Sequence, residues 1–284
     1  MKIQYQDKEF YFNDLLYDNL QILVKAVEKK WDGLLMIDGI EGSAKTTLGG
    51  QVCIVLDPNF NLDHVVFTQE QFFELVDKAK PKTAILWDEF VFGGLSTEAM
   101  NKVQNALIKK MTTIRKKRLF IVLVMPWFFM MRPYFAIGRS RCLLHTFTPD
   151  GITRGRFTFF SYNKKQTLYH VGKKTYKYTV KSDFNGKFVD TFTWFWDENA
   201  YEKKKDIAIE SISKEHIDKV ADKYLGILQK TIYNMRHIDK APWRHIKRIT
   251  GQPESTLRRW SATTEDKLLD TDIVSIEKDV KDNG

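Results

Sequence analysis

Continuous apolar runs and stretches of helical spacing alternate through the first half of the chain, and that rhythm predicts a layered α/β fold. A short strand-like start at Phe10–Phe12 precedes an amphipathic helix over Asp14–Lys30. Gly33–Asp38 is apolar almost throughout and enters a glycine-rich turn, as a strand buried on both faces would. From Lys45 onward the chain reads as helix, although Gly49 and Gly50 each cost about 1 kcal/mol there. Such a pair points to close packing or to a short helix. His64–Phe67 is a second strand, and Thr68 with Gln71 makes a capping box for a helix to about Lys78. Thr83–Asp88 is a third strand, and Ser96 is placed to cap a long helix reaching about Arg115. Leu119–Val124 and Cys142–Phe147 are two more. The alternation implies a mostly parallel sheet with helices on both faces.

The rhythm then changes twice. Arg156–Ser161, Gln166–Val171 and Thr175–Val180 are short, aromatic and alternating, like antiparallel strands added at a sheet edge. Beyond Asp197 the strands stop. Lys214–His237 places Ile217, Val220, Ala221, Tyr224, Leu225, Leu228, Ile232 and Met235 at helical spacing, and a small unit follows to Trp260. The expected organisation is therefore an α/β domain over residues 1–197, a small all-α domain over 198–261 and an acidic tail over 262–284.

Charge sharpens this picture more than overall composition does. Residues 1–100 carry 9 basic and 16 acidic side chains, a net of −7, whereas residues 101–187 carry 19 basic and 2 acidic (Asp150 and Asp183), a net of +17. A segment that basic favours a polyanion through counterion release, with nucleic acid ahead of a merely lysine-rich surface. The hydrophobic fraction of 43% is enough for a real core. Cys53 and Cys142 are the only cysteines, which argues for a reducing compartment and against a structural zinc site. The longest apolar run, Leu119–Met131, is broken by Pro126 and falls short of the roughly 20 residues a spanning helix needs. A cytoplasmic protein without membrane insertion is the expectation.

Candidate chemistry sits at two strand ends. Gly39-Ile40-Glu41-Gly42-Ser43-Ala44-Lys45-Thr46 follows a predicted strand and opens a predicted helix, the context that a G-x4-G-K-[ST] motif requires. Loop and helix N–H groups there point at a β-phosphate, Lys45 reaches β/γ oxygens and Thr46 ligates Mg²⁺. Gly39, Glu41, Gly42, Ser43, Ala44, Lys45, Thr46 and Thr47 are thus the expected ATP contacts. Ala44 replaces the usual last glycine, and a negative φ at the helix start would tolerate its methyl group. Ile85-Leu86-Trp87-Asp88-Glu89 ends an apolar strand in two carboxylates, Asp88 for the Mg²⁺ shell and Glu89 to orient and deprotonate a water. A small-molecule kinase has no use for that second carboxylate. The base reader usual in a GTPase is missing, since Asn163-Lys164-Lys165-Gln166 lacks its Asp. ATP hydrolysis coupled to movement fits these residues.

The loop GIEGSAKTT, the strand end WDEF, the helix end Met111–Arg118, the strand LFIVLVMPW and Arg139-Ser140-Arg141 together resemble the FtsK–HerA group of ATPases. More narrowly they are similar to viral and plasmid ATPases that pump or process DNA, over about residues 30–160. The resemblance implies a RecA-like core and a homo-oligomeric ring, hexameric or pentameric, in which an arginine reaches the neighbour's γ-phosphate. Arg115 is the first choice for that arginine and Arg139 the second, with a phosphate-facing or plain surface role left open for both. The group often has a polar sensor, frequently Gln, at the end of the fourth core strand. Met125-Pro126-Trp127 departs from that and favours a divergent viral branch.

The C-terminal unit resembles a helix-turn-helix, Pro242–Ile249 and Glu254–Trp260 around Thr250-Gly251-Gln252-Pro253. Trp243, Ile246, Leu257 and Trp260 would face inward. Thr256, Arg258 and Arg259 are then left for DNA, unless the pair docks a protein. Tyr162–Lys181, read as a basic aromatic hairpin, suits a single strand in a channel or a subunit contact. A DNA packaging or translocating motor is the expectation. An ATP-switched DNA-binding regulator or replication factor is the alternative, and a membrane-docked phage-assembly ATPase is disfavoured.

Overall fold

A hairpin, β1 (Lys2–Tyr5) and β2 (Lys8–Tyr11), opens the chain and leads through Asn13 into α1 (Asp14–Glu28). The Asn13 side chain accepts the Leu16 N–H at 3.0 Å, which starts the helix where the apolar spacing predicts it. The structure is a computed structural model that describes residues 1–89, 97–191 and 197–265.

The predicted strands β3 (Gly33–Gly39), β4 (Val65–Val66), β5 (Ala84–Trp87), β6 (Phe120–Val124) and β7 (Cys142–Phe147) form one parallel array. β8 (Arg156–Phe160) and β9 (Phe184–Lys187) add to its β7 side in antiparallel sense. The order across the seven strands is β4-β5-β6-β3-β7-β8-β9. Strand period sorts the core into two layers. Leu35, Ile37, Leu86, Val122 and Leu144 face α1 and α2 (Lys45–Leu56). Leu34, Met36, Trp87, Ile121 and Leu143 face α3 (Gln69–Lys78), α4 (Thr97–Lys117) and α5 (Tyr162–Gly172). The chain is thus a mixed α/β protein built on a mostly parallel sheet with helices on both faces.

Local chemistry placed several elements well. Thr68 and Gln71 make the expected capping box at the start of α3. The glycine pair in α2 marks a close approach, since a Cβ on Gly49 would lie 2.7 Å from Leu86 Cδ1. Ser96, expected to cap α4, lies outside the described residues, as do Phe90 and residues 266–284.

Two expected strands are not strands. Gln166–Val171 belongs to α5, which buries Lys165, Leu168, Tyr169 and Gly172 at helical spacing. A buried lysine hides that face from a reading of apolar residues alone. Its ammonium donates to the carbonyls of Ala136 (2.6 Å) and Ile137 (3.1 Å), and burial lowers its pKa to about 8. Thr175–Val180 is turn and irregular chain, held by side chains rather than a strand ladder. The edge strand that does form, β9, contains Asn185 and Gly186 and gave little β signal. The apolar run Leu119–Met131 divides into β6 and a short 3₁₀ turn at Phe128–Met130. No helix among the described residues is long and apolar enough to cross a membrane.

The chain divides into two compact units, Met1–Ala208 and Ile209–Gly284, with α6 (Glu198–His237) running through the division. The first turns of α6 therefore belong with the sheet. In the second unit, α7 (Trp243–Thr250) ends at Gly251, whose φ of 70° supplies the left-handed cap. The next helix, α8 (254–265), follows after a short turn. Ile232, Ile246 and Leu257 form its core with Met235, Trp243 and Trp260 against them. Tyr224, Leu225 and Leu228, three of the apolar residues at helical spacing, are exposed on α6.

Candidate functional site

The glycine-rich loop is set by β3, whose residues are buried throughout, and by its closeness to β7. Gly39 has φ 145°, and a Cβ there would meet Thr146 Oγ1 at 2.3 Å, so only glycine fits. Ser43 Oγ lies 2.7 Å from Thr146 Oγ1 and donates to the Ile40 carbonyl at 2.7 Å, closing the loop on itself. Ala44 departs from expectation. Its φ is 64° rather than negative, because the chain needs a left-handed residue to turn into α2. The methyl group there costs about 1–2 kcal/mol, backbone strain of a kind that gathers at functional sites.

Lys45 folds back over the loop, its ammonium donating to the carbonyls of Gly39 (3.0 Å) and Ile40 (2.8 Å). Burial lowers its pKa, against the pull of Asp88, Asp38, Glu41 and Glu89. One helical step on, the Thr46 hydroxyl meets Asp88, at 2.9 Å from Oδ1 and 3.1 Å from Oδ2. Asp88 itself is fully buried at the end of β5. Desolvation raises its pKa, while hydrogen bonds from Tyr201 and Thr46 oppose the rise.

Glu89 sits at φ 50°, a second strained residue in the same site. Its carboxylate accepts from Lys205 Nζ at 2.6 Å. Burial pulls the Lys205 pKa down, but the hydrogen bond and charge of Glu89 outweigh it and hold the ammonium above its ordinary value. The Tyr201 hydroxyl donates to Asp88 and is itself pushed up by burial and by that carboxylate. Tyr201 and Lys205 are four residues apart on α6 and so share one helix face.

Lys45, Thr46, Asp88, Glu89 and Lys205 line a cavity of about 590 Å³ with Glu41, Gly42, Thr47, Arg154 and the β6 end, Val124–Pro126. A cavity of about 800 Å³ lies where β5 and β6 begin, lined by Asp57, His64, Lys78 and Lys82 among others. Of these two, the smaller one joins a helix N-terminus, converging hydroxyl and carboxylate groups and a half-buried lysine. That combination, not size, marks it as the candidate site. Thr46 and Asp88 are hard oxygen donors of the kind that hold Mg²⁺ while leaving its other positions to water and phosphate. No group of three His, Cys, Asp or Glu side chains among the described residues could hold a metal by itself.

Neither a protein-family model nor a curated protein matches the chain. The functional reading therefore stands on this geometry and on the sequence.

The remaining site residues from the sequence are spread over the molecule. Arg115 is exposed in the last turn of α4, just before β6 begins, at the opposite end of the sheet from Asp88. It does not join its own chain's site. Arg139 is ruled out as a free arginine, because its guanidinium is paired with the buried Asp32 carboxylate. Arg139→Ala would strand that charge, and a loss of about 3 kcal/mol or more is expected in a denaturant melt. An unchanged midpoint would free Arg139 for another role. In the second unit, Arg258 donates to Glu254 through Nε (2.9 Å) and Nη2 (2.6 Å) and lies over Trp243. Arg259 is exposed and Thr256 half-buried on the same helix.

Tyr201, Lys205 and Arg154 were not foreseen. The first two carried one usable signal, their spacing on a helix face, but no local pattern ties that face to β5. Arg154 lies in the loop between β7 and β8, where sequence alone assigns no direction.

Proposed function

We propose that the chain is a P-loop ATPase with a RecA-like core that acts on DNA as an oligomeric motor of the FtsK–HerA kind. The observation that carries this is the meeting of Thr46 and Asp88 at 2.9 Å, from a loop-to-helix turn and a separate strand end, beside Lys45. A phosphate loop at the carboxyl end of a central strand, with carboxylates two strands away in the same sheet, supports the RecA-like reading.

Bound Mg²⁺ would neutralise phosphate charge and be held by Thr46 and Asp88. Lys45 exchanges the carbonyls of Gly39 and Ile40 for the β/γ oxygens. N–H groups at the start of α2 receive phosphate oxygens. Glu89 takes a proton from the attacking water, and Lys205 holds that carboxylate in place. Tyr201 holds Asp88 from the far side. The basic segment 101–187 supplies the surface for DNA, and the helix-turn-helix unit offers Arg259 for further phosphate contact.

ATP turnover measured with and without single- and double-stranded DNA tests the reading. A motor is stimulated several-fold by DNA. A nucleotide-switched regulator turns over slowly and shows site preference instead. Lys45→Ala is expected to weaken ATP binding at least tenfold in a titration, because the charge on the β/γ oxygens is lost. Equal affinity in the variant would remove the loop from the site.

A further inference from the structure

Much of the basic stretch is already committed inside the fold. Lys165 and Arg139 are tied to carbonyls and to Asp32, and Lys117 donates to the carbonyls that end α3. What remains concentrates after α5, where Lys174, Lys177 and Lys181 are exposed, while Lys173 is held by the Tyr169 hydroxyl and ring. No acidic residue occurs between Asp150 and Asp183.

Two large aromatic rings lie in the same place. Trp127 and Tyr176 are 51% and 53% exposed, with ring centroids 5.5 Å apart and planes 32° from parallel. They are supported from beneath rather than scattered. The buried Phe129 meets Tyr176 edge-on at 6.0 Å and Tyr178 at 5.0 Å. Tyr176 is held at φ 53°, in the turn that follows α5.

The same segment is pinned to the candidate nucleotide site. Asp38, the residue before Gly39, accepts from the Phe128 N–H at 2.9 Å and from the Tyr178 hydroxyl. His145 Nδ1 lies 3.0 Å from its other oxygen and stacks on Tyr178 at 3.8 Å. Phe128 is next to Trp127, and Tyr178 is two residues from Tyr176. Both rings are therefore anchored through one buried carboxylate to the start of the phosphate loop.

We infer that Trp127 and Tyr176, flanked by Lys174 and Lys177, form a stacking platform for single-stranded DNA. The inference deepens the proposed function by naming where a strand binds. Exposed ring faces take up unstacked bases regardless of sequence, and lysines follow the backbone. A duplex keeps its base faces covered and offers these rings nothing. Asp38 gives the platform a rigid connection to the loop, so strand engagement and phosphate binding bear on the same residue.

The test measures binding of a labelled 20-nucleotide oligo(dT) and of a duplex of equal length by fluorescence anisotropy, without nucleotide. The Trp127→Ala/Tyr176→Ala variant is expected to lose at least about tenfold in strand affinity, the worth of one good base–aromatic stack. Trp127→Phe/Tyr176→Phe should restore most of it, which separates stacking from misfolding. Basal ATP turnover of each variant, measured without DNA, is expected to match the parent. Equal strand affinity in the Ala variant overturns the platform, as does a parent preference for duplex that the substitutions leave intact. If no preparation turns over ATP while stacking loss is still seen, the ATPase reading fails and the platform stands.

Discussion

Glu89→Gln is expected to leave ATP bound and to lower turnover by about 10²–10⁴, the usual worth of a positioned general base. The amide keeps the size of the side chain and can still accept from Lys205, which now lies 2.6 Å from the carboxylate. What disappears is the group that takes the water's proton. Asp88, Thr46 and Lys45 are untouched, so nucleotide affinity should hold. The signature is a fall in kcat at constant ATP affinity, read by single-turnover hydrolysis beside a binding titration. A variant hydrolysing at the parental rate would show that Glu89 is not the base. Its strained φ of 50° would then need another explanation.

Arg115→Ala is expected to cost more, about 10³–10⁵ in rate, if this arginine reaches a neighbour's γ-phosphate. Within one chain Arg115 is exposed near the start of β6, remote from the site at the strand ends, so only a second subunit can bring the two together. Mixing makes the idea testable. Arg115→Ala subunits keep a normal Glu89, and Glu89→Gln subunits keep a normal Arg115. Mixed rings place good arginines beside good bases and should recover part of the activity that neither homo-oligomer has. Arg154 is the competing source of charge, because it already lines the cavity of its own chain. If Arg154→Ala is inactive, Arg115→Ala is active and co-assembled mixtures show no recovery, the second cation acts in cis and the trans role is lost.

The corrections to the sequence reading share a cause. The hairpin read over Tyr162–Lys181 rested on alternating aromatic and polar residues in Gln166–Val171. That stretch is helical because Lys165 is buried with Leu168, Tyr169 and Gly172, and a lysine counts as polar in any periodicity. Arg139 looked free in a basic segment, yet its partner Asp32 lies 107 residues away. Ala44, at the start of a predicted helix, reads as a negative-φ position that tolerates a methyl group; the loop's need to turn into α2 prevailed.

By itself the sequence determined whatever depends on neighbours in the chain. Apolar runs specified β3, β5 and β6, since strands covered on both faces must be apolar throughout. The Thr68–Gln71 box fixed the start of α3, and the order of glycine, lysine and hydroxyl located the candidate loop between β3 and α2. Tertiary structure alone decided which distant groups meet. It brought Tyr201 and Lys205 of α6 onto Asp88 and Glu89, joined Tyr178, His145 and Phe128 to Asp38, and separated Arg115 from its own site. Local pattern reflects local backbone preference and burial. The pairing of buried charges across the sheet depends on strand order and helix placement, which become definite only when the whole core closes.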